Sequence, residues 1–232
     1  MCAPIAHDGH RMDPNWLIWQ LADSAFPTGG FAHSAGLEAA VQWGEVTSAN
    51  DLTAFTRSAL TQIARSTIPI VCTACSDPIQ YESLDRLTHA LLTNHVANRA
   101  SRAQGQAMLT AADRIFPSPD LAAMRQSVRT QRLHGHFAPV FGRIMGILNT
   151  TRDLAGQLFL FISLRGIISA AVRLGAVGPM EGQRIQHELG SEATTIAARC
   201  SALTLDDITQ TAPLVDLLQG THDRLYSRLF QS

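Results

Sequence analysis

The sequence contains no lysine, so all 18 of its basic residues are arginines. A Schiff base requires a primary amine. Because no side chain of this protein carries one, covalent catalysis through lysine is excluded. The arginines are scattered and the formal net charge is −1, which gives no indication of a nucleic-acid partner. Four cysteines, at positions 2, 72, 75 and 200, are too few for a disulfide framework in 232 residues.

Long uninterrupted apolar runs are also lacking. The most apolar region extends from Phe137 to Val177, and its runs LFLFISL and IISAAV suggest a membrane span. Arg165 would place a charge near the middle of that span, and each run is far shorter than the roughly 18 residues that a span needs. We therefore predict no membrane segment, and instead a helix buried on several sides against which the others pack.

No signal peptide is recognisable, because residues 1–12 are polar and include His7, Asp8 and His10. We expect these twelve residues to be disordered and the protein to be cytoplasmic. The ordered part is expected to begin near Asp13-Pro14, since proline is tolerated at an early helical position.

Alanine and leucine dominate a composition that is 46% hydrophobic, and little period-two alternation is present. Glycine and proline cluster at a few breaks between segments with helical spacing. This pattern predicts an all-α fold: a single-domain multi-helix bundle around the buried central helix. We expect an all-helical domain over 13–220 and a C-terminal docking tail over 221–232, because the tail follows Gly220 and is rich in apolar residues.

The stretch DSAFPTGGFAHSAGLE, residues 23–38, interrupts one apolar helix and precedes another. Pro27 disfavours helical geometry at Phe26, while Gly29 and Gly30 permit positive φ angles. A rigid corner between two packed helices is therefore predicted, with Ser34 as the better N-cap of the second helix. Phe26 and Phe31 either pack inward or offer an aromatic anchor to a partner.

Two chemical interpretations of this corner are weaker. A Thr-Gly-Gly turn before a helix could present N–H groups to an anion, but no Gly-Lys-Ser/Thr signature follows. Asp23, Ser24 and His33 have the residue types of a nucleophilic triad, yet no strand-turn-helix setting surrounds the serine.

Metal ligation finds little support in the pattern. Cys72 and Cys75 lack a second pair of ligands at zinc spacing, so we predict that they are core residues on an apolar helix. His134 and His136 flank Gly135 in a predicted bend and are expected to be solvated. Glutamates on the predicted helices are expected to lie on solvated or salt-bridged faces; these are Glu38, Glu181, Glu188 and Glu192. No metal ligand, cofactor or catalytic residue is predicted.

Three segments resemble the signatures of one family, the urease accessory protein UreF. They are LADSAFPTGGFAHSAGLEAAV at 21–41, SAAVRLGAVG at 169–178 and LYSRLFQS at 225–232. The resemblance implies an all-α, dimeric protein that binds the accessory protein UreD, also called UreH. It further implies that this pair recruits the GTPase UreG to a complex that delivers nickel to apo-urease, and that the chain is a scaffold or GTPase regulator without enzymatic activity.

The matching positions imply a partner interface. Phe31 stands at the aromatic position after the double glycine, Glu38 ends the Gly-Leu-Glu of the corner, and Arg173 stands where the family has a basic residue of the GTPase-facing surface. Tyr226, Arg228 and Phe230 belong to the terminal motif that becomes ordered with the UreD/UreH partner. The alternatives are a core position for Phe31, ordinary surface charges at Glu38 and Arg173, and a tail that packs on its own domain.

Two rival functions follow from the residues. The nine histidines and four cysteines could make the protein a nickel carrier. Alternatively, the apolar 137–177 region could form the pocket of a helical enzyme with a buried cofactor.

Overall fold

The computed structural model describes residues 14–200 and 202–232. The predicted disorder of residues 1–12, with Cys2, His7, Asp8 and His10, lies outside this range. The described residues form α-helices joined by short loops and 3-10 turns, with no β-strand, which confirms the all-α class. The helices are α1 Pro14–Ala22, α2 Leu37–Gln42, α3 Ala49–Ser66, α4 Ile68–Ser76, α5 Tyr81–Leu91, α6 His95–Ile115, α7 Pro119–Arg129, α8 Phe137–Ile147, α9 Arg152–Arg173, α10 Pro179–Cys200 and α11 Pro213–Gly220.

Local signals set most helix starts. Ser48, Asn94, Ser118 and Thr151 each accept a hydrogen bond from a backbone N–H of the helix that follows them. Such caps satisfy N–H groups that have no partner within the helix. Proline occupies the first turn of α4, as expected from the interruption predicted at Pro69.

Two long segments are each divided into two helices, a break that was not predicted in the first and was one of the alternatives in the second. The apolar region 137–177 forms two helices, α8 and α9, separated by a turn in which Asn149 has a φ of 58°. The prediction of a single central helix is therefore wrong, because the turn at Leu148–Thr151 has its own cap at Thr151. Residues 79–116, for which one or two helices were expected, form α5 and α6 with a cap at Asn94 between them.

Helices α4 and α8 approach each other so closely that only glycine fits on one side. A Cβ atom at Gly142 would lie 2.3 Å from the carbonyl oxygen of Val71, and one at Gly146 would lie 2.3 Å from that of Cys75. Both glycines face the same helix because they are four residues apart. This contact places α8 at the centre of the core, where Phe141, Ile144 and Met145 are fully buried.

Helix α9 is the one described helix long and apolar enough to cross a membrane, with a mean hydropathy of 1.6 over its most apolar window. It packs against α3, α4, α8 and α10, and 56% of that window is buried within the protein. Arg165 donates a hydrogen bond to the carbonyl oxygen of Ala22, at the end of α1. Burial lowers the pKa of Arg165. These contacts are those of a core helix, as the sequence predicts.

Candidate functional site

The corner between α1 and α2 adopts a tightly wound backbone. Gly29 has a φ of 71° and precedes a 3-10 turn over Gly30–Ala32, so the positive φ expected at this glycine is confirmed. Gly36, with a φ of 86°, precedes α2 directly and has no side chain that could cap the helix. The prediction that Ser34 caps α2 is wrong, because the buried Ser34 hydroxyl instead donates to the carbonyl oxygen of Ser232.

The two aromatic residues of the corner have opposite environments. Phe26 is buried and stacks on Phe116, the residue directly after α6, with ring centroids 6.5 Å apart. Phe31 is 69% exposed. Phe26 therefore packs inward, whereas Phe31 is at the surface, where its role as an anchor for a partner stays a prediction.

The C-terminal segment 225–232 is bound to this corner through Glu38. The Glu38 carboxylate is 1% exposed and accepts hydrogen bonds from the backbone N–H of Leu229 at 2.5 Å and of Phe230 at 3.1 Å. The Nε2 atom of the fully buried His222 lies 3.0 Å from the same carboxylate. The expectation of a solvated or surface Glu38 is wrong, because this carboxylate satisfies tail N–H groups that would otherwise be unpaired.

Backbone hydrogen bonds continue this attachment to the end of the chain. The N–H of Gln231 donates to the carbonyl oxygen of Ala32 at 2.8 Å. The N–H of Ser34 donates to the carbonyl oxygen of Ser232 at 2.6 Å. His33 Nδ1 lies 2.5 Å from the Ser232 hydroxyl. Burial, together with Arg99 and His222, lowers the pKa of His33 to about 4, so its imidazole is neutral at pH 7.

Arg173 of α9 joins the corner to the tail. Its guanidinium carbon lies 3.5 Å from the ring centroid of Phe31 and 4.3 Å from that of Phe230. It also donates a hydrogen bond to the carbonyl oxygen of Phe31. A guanidinium between two rings is held by cation–π attraction on both faces. Phe31, Arg173 and Phe230 thus form one cluster from three distant parts of the sequence.

A second charged cluster lies at the start of the tail. Asp223 accepts hydrogen bonds from Arg99 of α6 at 2.7 Å and from Arg228 at 3.4 Å, and His95 Nε2 lies 3.1 Å from it. The hydrogen bond from Arg99 is the main reason that the pKa of Asp223 is lowered to about 2. The ion pairs with Arg99 and His95 connect the tail to α6.

The structure brings five of the six predicted interface residues to this attachment, namely Phe31, Glu38, Arg173, Arg228 and Phe230. Phe230 is buried within its own chain, as the alternative of a tail packed on its own domain anticipates. Tyr226 is fully exposed, and Leu229 is 53% exposed. We call this assembly, residues 26–38, Arg99, Arg173 and 222–232, the corner–tail site.

His222, Asp223 and Arg99 are site residues that the sequence did not indicate, and His33 was considered only as a member of a nucleophilic triad. Their contacts join positions 124 to 199 residues apart, so no local spacing indicates them. The one available signal was the presence of His222 and Asp223 directly before the terminal motif.

Residues of the possible nucleophilic triad and of the possible anion-binding turn make other contacts in the structure. Asp23 accepts a hydrogen bond from the N–H of Ala25, and His33 contacts Ser232, so Asp23 and His33 bond to groups outside the proposed triad. Gly30 N–H points at Thr28 Oγ1, while the Ser34 N–H is bonded to the tail. Two N–H groups of the corner are therefore already engaged within the chain.

The predicted core position of the cysteine pair is confirmed. Cys72 and Cys75 are buried, and their thiols point at the carbonyl oxygens of Arg152 and Thr150. Burial raises the pKa of both thiols. Within residues 14–200 and 202–232, no group of three or more His, Cys, Asp or Glu side chains is arranged to hold a metal ion.

The predicted solvated state of the bend histidines is wrong for His136, which is fully buried. Its backbone N–H donates to the Asp85 carboxylate, and its Nδ1 lies 3.1 Å from the Ser101 hydroxyl. Gly105 of α6 allows this approach, since a Cβ there would lie 2.1 Å from the carbonyl oxygen of Gly135.

The three other glutamates that were predicted to lie on solvated or salt-bridged faces do form salt bridges. Glu181 and Glu188 pair with Arg184, and Glu192 pairs with Arg57.

A cavity of about 430 Å³ lies beneath the corner and extends to α9. Apolar side chains such as Phe26, Phe137 and Phe159 dominate its wall. Its titratable side chains are His33, Arg165 and Arg173, and no carboxylate from the described residues lines it. The cavity therefore offers cations and hydroxyl groups, and lacks the paired acid and base that hydrolytic chemistry uses.

The fold and the site together define an all-helical domain that binds its own C-terminal segment against its first corner and leaves aromatic side chains exposed beside it. The UreF family model matches residues 46–190 of this chain.

Known proteins similar to the chain cover nearly all of it. A urease accessory protein F of Arabidopsis thaliana is 38% identical over 221 residues, which is 94% of this chain and 92% of the relative. The urease accessory protein F of Oryza sativa subsp. indica is 37% identical over 93% of this chain and 84% of its own length. A UreF of Bacillus sp. (strain TB-90) is 28% identical over 93% of this chain and 97% of its own. The chain belongs to the UreF family of urease accessory proteins, and this membership implies a role in urease maturation.

Proposed function

We propose that this protein is a non-catalytic scaffold of urease maturation, active in the cytoplasm as a homodimer. It binds the UreD/UreH accessory protein and recruits or regulates the GTPase UreG, so that nickel is inserted into apo-urease. The observation that supports this proposal most directly is the corner–tail site, where the residues implied by the family motifs converge around exposed aromatic side chains.

The chemistry of the site suits protein recognition. Exposed aromatic and arginine side chains are the residues that most often dominate binding energy at protein interfaces. Phe31, Tyr226 and Leu229 are exposed. Glu38 holds the backbone at Leu229 and Phe230, and Arg173 bonds to the carbonyl oxygen of Phe31. A preorganised segment loses less conformational entropy on binding than a free one.

The test is size-exclusion chromatography with light scattering on this protein mixed with its cognate UreD/UreH protein. Tyr226→Ala and Leu229→Ala remove exposed side chains without touching the Glu38 contacts. We expect each to weaken the complex by about tenfold, as interface anchors do. Ile79→Ala is the matched control, because Ile79 is 90% exposed between α4 and α5.

A chain truncated after Gly220 separates two outcomes. Loss of the complex would assign the tail to the interface, whereas equal binding by both chains would move the contact elsewhere on the scaffold. Failure of the full chain to bind, together with stoichiometric submicromolar nickel binding by the isolated protein, would replace the scaffold with the nickel-carrier function.

A further inference from the structure

A second concave surface lies away from the corner–tail site, between α6, α7 and the bend that precedes α8. Its volume is about 730 Å³, within the range of small-molecule sites. Three arginines and two histidines line it, together with the amides of Gln106 and Gln131. The arginines are Arg102 of α6 and Arg125 and Arg129 of α7, and the histidines are His89 of α5 and His134 of the bend. We call it the arginine pocket.

The positive charge of this pocket is only partly neutralised. Arg125 forms an ion pair with Asp113 at 2.7 Å. Arg102 and Arg129 are exposed, and neither has an ion pair with a carboxylate from the described residues. The chain as a whole has a formal charge of −1, so this is a local concentration of cations on a nearly neutral protein.

Nearby carboxylates are committed to other groups. Both Asp85 oxygens accept backbone hydrogen bonds, from the N–H of His134 at 2.6 Å and of His136 at 2.8 Å. Glu82 is paired with Arg86 and Arg132. These acids are therefore not free to turn towards Arg102 or Arg129.

The histidine wall of the pocket is fixed in place. The rings of His89 and His134 are stacked, with centroids 3.6 Å apart and an angle of 5° between the ring planes. His136 Nε2 lies 3.1 Å from His89 Nδ1, and Gln106 Nε2 donates to the carbonyl oxygen of His134 at 2.9 Å. With Asp85 holding the bend, the imidazoles line a preformed surface.

We infer that the arginine pocket binds a small polyphosphate anion, such as the diphosphate group of a nucleotide or inorganic pyrophosphate. Guanidinium groups match phosphate oxygens in geometry as well as in charge, and two unpaired arginines, one on α6 and one on α7, suit a ligand with more than one negative group. The concave shape favours a small anion over an acidic protein surface, which would need a broad and flatter contact.

Binding is expected to take up a proton at His134. Burial is the main cause that lowers the pKa of His134, and His89, Arg102 and Arg86 lower it further, while Asp85 opposes them. A bound anion favours the imidazolium, so His134 should contribute more to the affinity as the pH falls towards the pKa of its imidazole. The other charged or titratable groups of the surrounding wall are Arg125, Arg129, Asp113 and His136.

The test is isothermal titration calorimetry of the full chain with inorganic pyrophosphate at pH 7.5 and pH 6.0. We expect saturable binding of one anion per chain, and roughly tenfold weaker binding for Arg102→Gln and for Arg129→Gln, because each removes a charge-assisted contact. Arg114→Gln is the matched control, since Arg114 is exposed on α6 and does not line the pocket. In His134→Gln the affinity at pH 7.5 should be unchanged. At pH 6.0, where pyrophosphate takes up a proton with either chain, the variant should bind it more weakly than the unmodified chain does.

The inference is overturned if pyrophosphate gives no saturable binding, or if the double variant Arg102→Gln/Arg129→Gln binds it like the unmodified chain. It is also overturned if the double variant loses only a protein partner in chromatography, since the pocket would then be a docking surface. An unchanged melting temperature of each variant excludes loss of folding as the cause. Because the isolated chain and a small anion suffice, the result is independent of the scaffold test.

Discussion

Among single residues, Glu38 determines whether the C-terminal segment stays ordered. Replacing it in the variant Glu38→Gln removes the charge and places an amide donor opposite the N–H groups of Leu229 and Phe230. We expect the unfolding free energy to fall by about 2–4 kcal/mol, because buried donors are left unsatisfied. Hydrogen exchange of the Leu229 and Phe230 amides should become much faster.

The control for this change is Glu181→Gln, at an exposed glutamate paired with Arg184. An exposed ion pair contributes little, so this variant should stay within about 0.5 kcal/mol of the unmodified protein. Equal protection of the tail amides in the two variants would show that Glu38 does not hold the tail.

His136 should make the protein sensitive to mild acid. Burial is the main cause that lowers the pKa of His136 to about 4. The nearby charges of His89, His134 and Arg102 also lower this pKa, while Asp85 raises it. Between about pH 6.5 and 4 the unfolded chain therefore binds a proton that the folded chain does not. The contribution of His136 to the unfolding free energy should consequently fall as the pH decreases through this window, by about 1 kcal/mol or more, and level off below it.

Urea denaturation at pH 7.5, 6.0 and 5.0 checks this expectation. His136→Gln should lower stability at every pH but reduce the loss between pH 7.5 and 5.0, whereas His187→Gln, at an exposed position of α10, should leave that loss unchanged. An identical pH dependence in the two variants would exclude His136 as its source.

Between elements, the contact of α4 with α8 is the least tolerant of added volume. In Gly142→Ala the new methyl group would meet the carbonyl oxygen of Val71 at 2.3 Å, and backbone cannot rotate away as a side chain can. The two helices must separate, so we expect a loss of about 2–3 kcal/mol or more in unfolding free energy.

Gly166→Ala is the matched control for this change. Gly166 also lies inside a helix, α9, but a Cβ there would meet no atom within 4 Å. Alanine is the better helix former, so this variant should gain about 0.5–1 kcal/mol. Thermal or urea unfolding distinguishes the two, and a similar effect from both would refute the close packing of α4 and α8.

For the molecule as a whole, thiol reactivity reports on the integrity of the single core. Cys72, Cys75 and Cys200 are buried, and burial raises the pKa of each thiol. In a Cys2→Ser background, a maleimide should label none of them quickly in buffer and all three in urea. In buffer, we expect the three thiols to be labelled at the rate of global unfolding. Rapid labelling of one thiol would instead show that the structure opens locally around it.

The helical architecture was largely predictable because helix signals are local. Serine, threonine and asparagine caps, prolines in first turns and glycines at breaks act within a few residues of the helix end. The break between α8 and α9 was missed because strong apolar composition on both sides outweighed the short turn at Leu148–Thr151. Composition does not show where a buried segment changes direction.

Several residues of the corner–tail site could be predicted from the sequence, but the contacts between them could not. Motif resemblance pointed to Phe31, Arg173 and Phe230 separately, and neither their spacing nor their chemistry indicated that one guanidinium lies between two rings. Glu38 and His136 were expected to be solvated, since charged and polar residues usually are. Their burial depends on donors supplied by segments far away in the sequence.

The sequence by itself determined the all-α class, the exclusion of lysine chemistry, the core position of the cysteine pair and the family of the protein. Each of these follows from residue types, short-range periodicity or contiguous motifs. Only the tertiary structure decided that the tail binds the corner through Glu38 and that unpaired arginines gather beside a stacked histidine pair. The physical reason is that a buried carboxylate or a shared cation is stable only where several distant groups meet, and packing alone brings them together.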